Sequence, residues 1–294
     1  MKLKSILAAA GAAISLLFAG PAAAQEASSG PALWQLSDED TTIYLFGTVH
    51  ILPQELQWMD SRIESALNAS DMLVTEVDTS DTAAVAAAFA QSAMLDEGKT
   101  LRGLMKEEDR AQYEELVSAA GMPPATFDSF EPWFAAVTLE ALPLLMAGYD
   151  PSAGVEPALV AYVGDMPQGE LETVADQIEI FDGMPMDFQL TYLDGIVENA
   201  GEAVESVNKL VENWAQGDTG ALEDLLTSDL DMDDDYLIKR LLTDRNANWV
   251  DWIETRMEEP GTVFIAVGAL HLAGESSVQN LLTDRGHVVT RITN

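Results

Sequence analysis

Both ends of this chain carry the same local pattern: an apolar strand running straight into Gly-x-x-His, then a helix, then another strand. Residues 41–46 are β-branched and aromatic, and Gly47-Thr48-Val49-His50 follows them directly. Leu56, Met59, Ile63, Ala66 and Leu67 recur at helical spacing after Pro53, and residues 71–77 read as the next strand. At the other end Pro260-Gly261 precedes an apolar strand at 262–267 and the turn Gly268-Ala269-Leu270-His271. Val278, Leu281 and Leu282 mark a short helix, Arg285-Gly286 closes it, and residues 287–292 form the last strand.

Two strand–helix–strand crossovers predict an α/β fold with a central mixed or parallel sheet. Ligands on such sheets bind beyond the C-terminal ends of the strands, and both Gly-x-x-His turns leave those ends. His50 and His271, far apart in sequence, are therefore expected at one rim. The middle, about 80–258, reads as a large helical insertion. Helices are expected at 83–94, at 109–120 with a stop at Gly121 and Pro123-Pro124, and at 133–146 with an interruption at Pro143. Longer amphipathic stretches run over 189–214 and 236–257, and Thr173-Val174-Ala175-Asp176 has the form of a capping box. No linker divides the chain, so residues 25–294 are expected to form one domain.

The residue inventory narrows the chemistry. There is no cysteine, which excludes thiol nucleophiles, disulfides and cysteine metal sites. Of three histidines, two have glycine three places earlier at the end of an apolar strand. Two neutral imidazoles and a carboxylate can hold a divalent cation and leave room for water. Glu76, at the end of an apolar strand where an unpaired acid is costly to bury, is the expected third donor, with Asp78 as the runner-up. Glu275, four residues after His271, faces the same way if its helix begins early and otherwise serves that helix's N-terminus. His287, which lacks the turn, is assigned a structural role. Arg291 occupies Glu76's place in the other copy of the pattern and is read as a partner for Glu76, a substrate anchor or a surface residue. Ser276 and Ser277 lack a Ser-His-Asp context.

The formal charge is −36, which repels nucleic-acid phosphates and anionic lipid. Residues 1–24 open with Lys2 and Lys4, continue through a short apolar run and end in Ala22-Ala23-Ala24. That order predicts a cleaved secretory signal, an exported protein of the periplasm or medium, and no membrane insertion after cleavage. The acidic run 229–235 is expected to be a solvated loop.

Leu45-Phe46-Gly47-Thr48-Val49-His50 and Val267-Gly268-Ala269-Leu270-His271-Leu272-Ala273-Gly274 resemble the paired motifs of the TraB/PrgY/GumN family, which includes the Tiki-like metalloproteases. Gly154-Val155-Glu156 resembles a segment that usually reads Gly-x-Asp. Glu170-Leu171-Glu172-Thr173 and Arg245-Asn246 with Trp249 also fit, so the resemblance spans essentially the whole mature chain. It implies a divalent metal at His50, Glu76 and His271, manganese or cobalt with zinc a further option, and hydrolysis of a peptide or protein substrate. It implies Glu172 as a second carboxylate, the candidate general base, and Arg245 as an anchor for charge. Residues 166–169 are polar and broken by Pro167, a weak strand, and Glu172's place depends on them. The competing expectation is a non-catalytic module that binds a peptide, a metal or heme, or an accessory protein of envelope or polysaccharide assembly.

Overall fold

The computed structural model describes residues 30–228 and 235–293. The expected signal at 1–24 and nearly all of the acidic run lie outside the described residues.

Six strands form the central sheet. In chain order the strands are β1 (Leu33–Ser37), β2 (Thr41–Thr48), β3 (Leu52–Pro53), β4 (Met72–Thr75), β5 (Tyr149–Asp150), β6 (Gln168–Glu170), β7 (Gly261–Gly268) and β8 (Val289–Arg291). The sheet order is β6-β4-β7-β2-β1-β8, while β3 and β5 pair separately. β6, β4, β7 and β2 run parallel, and β1 is antiparallel to both its neighbours. The architecture is the expected mixed α/β, mostly parallel, with a large helical part.

The helices are α1 (Ser61–Ala69), α2 (Thr82–Ser92), α3 (Leu101–Leu104), α4 (Glu107–Ala119), α5 (Pro132–Met146), α6 (Val155–Val163) and α7 (Val174–Asp182). They continue with α8 (Met186–Asn199), α9 (Ala203–Gln216), α10 (Thr219–Ser228), α11 (Asp235–Ile238), α12 (Asp244–Arg256) and α13 (Val278–Asp284).

Alternation along the strands loads both faces of the sheet. Phe46, Phe264 and Leu73 point to one face, where Ile63, Ala66 and Leu67 of α1 and Trp214 of α9 cover them. Leu45, Ile265 and Val74 point to the other, against Trp249, Val250 and Ile253 of α12 and Val278 and Leu282 of α13. The crossover β2-α1-β4 passes over β7 in one direction, and β7-α13-β8 passes over β2 and β1 in the other. Opposite directions on opposite faces give both crossovers the same hand, as strand twist requires. A third core belongs to helices alone, with Tyr113, Val117, Leu139 and Leu193 buried together.

Several boundaries differ from those read in the sequence. The first crossover helix begins at Ser61, not near Pro53, because the Asp60 side chain caps it by accepting from the backbone N–H groups of Arg62 and Ile63. Leu56 and Met59 pack on the same core from the preceding loop. α5 continues through Pro143, with Leu139 and Leu144 buried on either side of it, so burial outweighs the lost hydrogen bond. The stretch 189–214 is two helices, broken around Gly201, a poor helix former. The stretch 236–257 contains a π-helical segment at Lys239–Thr243 just before α12. The capping box at Thr173 and Asp176 is present in both halves. The weak segment at 166–169 does supply a strand: β6 pairs with β4, and the Glu172 N–H then donates to the Glu76 carbonyl at 2.8 Å.

Candidate functional site

The parallel pairing of β2 with β7 sets Thr48 opposite Gly268. Both Gly-x-x-His turns therefore leave adjacent strands at the same end of the sheet. Glu76 follows β4, on the far side of β7. A Cβ at Gly268 would lie 3.2 Å from Glu76 Oε1, 3.5 Å from His271 Cδ2 and 3.8 Å from His50 Nε2. The three predicted donors thus surround one glycine, whose own N–H donates to Glu76 Oε1 at 2.6 Å.

The turn glycines act by close approach. A Cβ at Gly47 would meet the Ala269 backbone at 3.0 Å. Gly47 also supplies the carbonyl that accepts from the buried Trp214 indole N–H at 2.8 Å. At Gly154 a Cβ would come within 2.2 Å of the His50 carbonyl oxygen. That approach lets the Val155 N–H donate to the Val49 carbonyl at 3.0 Å and carries Glu156, in the first turn of α6, to the histidine.

Each histidine is held through Nδ1. His50 Nδ1 lies 2.6 Å from Glu156 Oε1, which also accepts from the Thr48 hydroxyl. His271 Nδ1 lies 2.5 Å from Asn246 Oδ1, and its ring lies 4.3 Å from the Trp249 ring. These contacts leave the two Nε2 atoms to face the corner. The two sites differ in exposure, for 67% of the His50 side chain is open and 5% of that of His271.

Arg245 crosses the corner from α12. Its Nη2 donates to Glu76 Oε2 at 2.6 Å, and its Nη1 lies 3.1 Å from His271 Nε2. Its Nε and Nη2 hold Glu172, each with a 2.9 Å contact, and Glu172 Oε1 also accepts from the Trp249 indole at 2.9 Å. The guanidinium lies 4.8 Å from the Trp249 ring centre. An arginine has no acceptor, so the Nη1 contact makes His271 Nε2 the acceptor and Nδ1 the protonated nitrogen.

Ionisation follows from these contacts. Burial drives His271 down to about 3, so it stays neutral. Despite its open edge, His50 is pulled down by the protein around it, but the Glu156 carboxylate beside it pushes it up further, to about 9. Burial raises Glu76, yet the charged Arg245 and His50 and the Gly268 N–H hold it well below the usual carboxylate range. Glu156 is likewise lowered, its burial outweighed by His50. A cation bound at His50 Nε2 would have to displace a proton.

As placed, no group of three His, Asp or Glu side chains among the described residues is close enough to hold one ion. His271 Nε2 and Glu76 Oε1 are 3.8 Å apart, and Arg245 stands against both residues. The donor set itself suits a divalent cation: two imidazoles fixed at Nδ1 by protein oxygens and one ionised carboxylate.

The remaining sequence candidates fall elsewhere. Asp78 is in an exposed turn, where its carboxylate accepts from the Ser80 N–H. His287 pairs with Glu254 at 3.0 Å. Arg291 does not meet Glu76, because β7, β2 and β1 separate β8 from β4; it lies 5.5 Å from the Trp34 ring centre instead. Arg291 and Glu275 line a groove that contains none of the three donors. Glu156 and Asn246 were missed as positioning groups, although both stand in the segments Gly154-Val155-Glu156 and Arg245-Asn246 that the sequence singled out.

The TraB/PrgY/gumN family model matches residues 32–291. The uncharacterized protein YbaP of Escherichia coli (strain K12) is 26% identical over 243 residues, covering 81% of this chain and 87% of YbaP. YbaP of Shigella flexneri matches with the same figures. No solved structure matches the chain.

Proposed function

The chain belongs to the TraB/PrgY/gumN family, and from that premise we propose that it is an exported metal-dependent hydrolase, a Tiki-like peptidase, working at His50, Glu76 and His271. One observation carries the reading. Both Gly-x-x-His imidazoles are tied at Nδ1 to protein oxygens, and both present Nε2 to the corner where Glu76 Oε1 lies. A divalent cation bound there, manganese, cobalt or zinc, would lower the pKa of a water and polarise a carbonyl.

The chain's own groups have distinct tasks in this reading. Glu156 and Asn246 fix the two rings, and the Gly268 N–H and Arg245 keep Glu76 ionised. Glu172 has both oxygens engaged by Arg245, so it serves as an anchor for the arginine. Export rests on the leader-like residues 1–24 and is tested by the N-terminal sequence of the secreted protein.

The test is peptide cleavage by purified protein with added manganese, cobalt or zinc, together with its metal content. Cleavage is expected to stop on chelation and in both His50→Ala and His271→Ala. Turnover that persists through all three rejects the proposal. A second reading, a non-catalytic module that binds a peptide, a metal or heme, draws on the contact between Arg245 Nη1 and His271 Nε2, which satisfies a donor atom within the protein. It requires stoichiometric binding without turnover, and product peptides seen by mass spectrometry eliminate it.

A further inference from the structure

Every donor of the Arg245 guanidinium has a partner. Nε donates to Glu172, Nη1 donates to the Leu241 carbonyl at 2.9 Å and to His271 Nε2, and Nη2 is shared between Glu76 and Glu172. Five N–H groups is the full complement of an arginine. The side chain is 12% exposed, it lies over Trp249, and the Leu241 carbonyl comes from the π-helical segment before α12. This is a built socket for a cation, and two of its walls are Glu76 and His271.

His271 Nε2 has a single lone pair in the ring plane. It can accept from Arg245 Nη1 or coordinate a metal ion, but not both. Glu76 faces a similar division, with Oε2 on Arg245 and Oε1 on the Gly268 N–H and toward His271. We propose that Arg245 holds the cation's place between Glu76 and His271, and that a divalent ion binds by displacing Nη1 from His271 while Arg245 stays anchored on Glu172. The arginine balances two buried carboxylates that would otherwise face each other uncompensated, and it sets the ion concentration at which the site fills. This rests on the metal-dependent reading given above and adds the competition.

The experiment is calorimetric titration of the apo full-length protein with manganese chloride, for the unaltered protein, Arg245→Met and Arg245→Lys. Arg245→Met is expected to bind manganese at least tenfold more tightly, and Arg245→Lys, whose ammonium cannot span the same partners, to fall in between. The thermal midpoint is expected to rise more on manganese addition in Arg245→Met than in the unaltered protein. A second measurement needs no variant: in the unaltered protein, stoichiometric zinc is expected to shift the Trp249 indole N–H resonance while the Arg245 Nε–H resonance persists. Manganese binding to the unaltered protein with equal or weaker binding by folded variants overturns the competition alone, and so does zinc binding that leaves the Trp249 resonance unmoved. Failure of all three proteins to bind either ion overturns the metal-dependent reading, and the competition with it.

Discussion

Thr48 lies directly across from Gly268 in the parallel ladder between β2 and β7. That single register places two imidazoles from opposite ends of the chain over the same strand ends. It also puts Glu76, from the strand on the other side of β7, within reach of the Gly268 N–H.

Gly154→Ala is expected to destabilise the protein by about 1–3 kcal/mol, because the added carbon would meet the His50 backbone with no flexible side chain to yield. Gly195→Ala, inside α8 with nothing near the added carbon, is expected to stabilise by about 0.5–1 kcal/mol. Urea denaturation of the two variants checks both signs, and a neutral Gly154→Ala would contradict the close approach.

Asn246→Ala is expected to weaken manganese binding about 10- to 100-fold, since it frees the ring that presents His271 Nε2. Titration of the metal-free variant reads this directly. Unchanged affinity would mean that Trp249 alone orients the ring.

Glu156→Gln removes the carboxylate that holds the His50 pKa up at about 9. NMR titration of the metal-free variant is expected to show that value falling toward 6.5. Because the folded-state value is raised, the pair contributes stability in full below about 6.5 and loses it as pH rises through 9. The stability gap between unaltered protein and variant should therefore narrow over that window. A gap that widens with pH would exclude this ion pair as its source.

Asp194 is pushed up to about 6 by burial and by the nearby Asp109 carboxylate. Its folded-state value lies above the unfolded one, so the folded form loses stability as pH rises from about 4 to 6. Asp194→Asn is expected to gain about 1 kcal/mol at pH 7, after allowance for solvent screening at this half-buried position. The gain should vanish below pH 4. Thermal melts at pH 3.5 and 7 compare the two.

Much of the site was legible in the sequence because it is local. An apolar run ending in Gly-x-x-His specifies a strand and the turn that follows, whatever the rest of the chain does. The pattern at both ends, with Glu76 after a third apolar run, was enough to name three side chains that the fold brings around Gly268. The crossover rule then named the rim. The placement of Glu172 was harder to read, since residues 166–169 are a poor strand by composition. β6 exists because the edge of β4 offers it backbone partners.

The sequence by itself determined the α/β class, the strands, the two turns and the residue types available at the corner. Only the tertiary structure decided that Arg245, and not Arg291, meets Glu76. It also decided that Glu156 and Asn246 hold the rings and that Glu172 is bound to an arginine. The physical reason is that strand order and helix packing are set by long-range burial on the two faces of the sheet. A side chain's charge partners follow from that order, and no local pattern of residues encodes them.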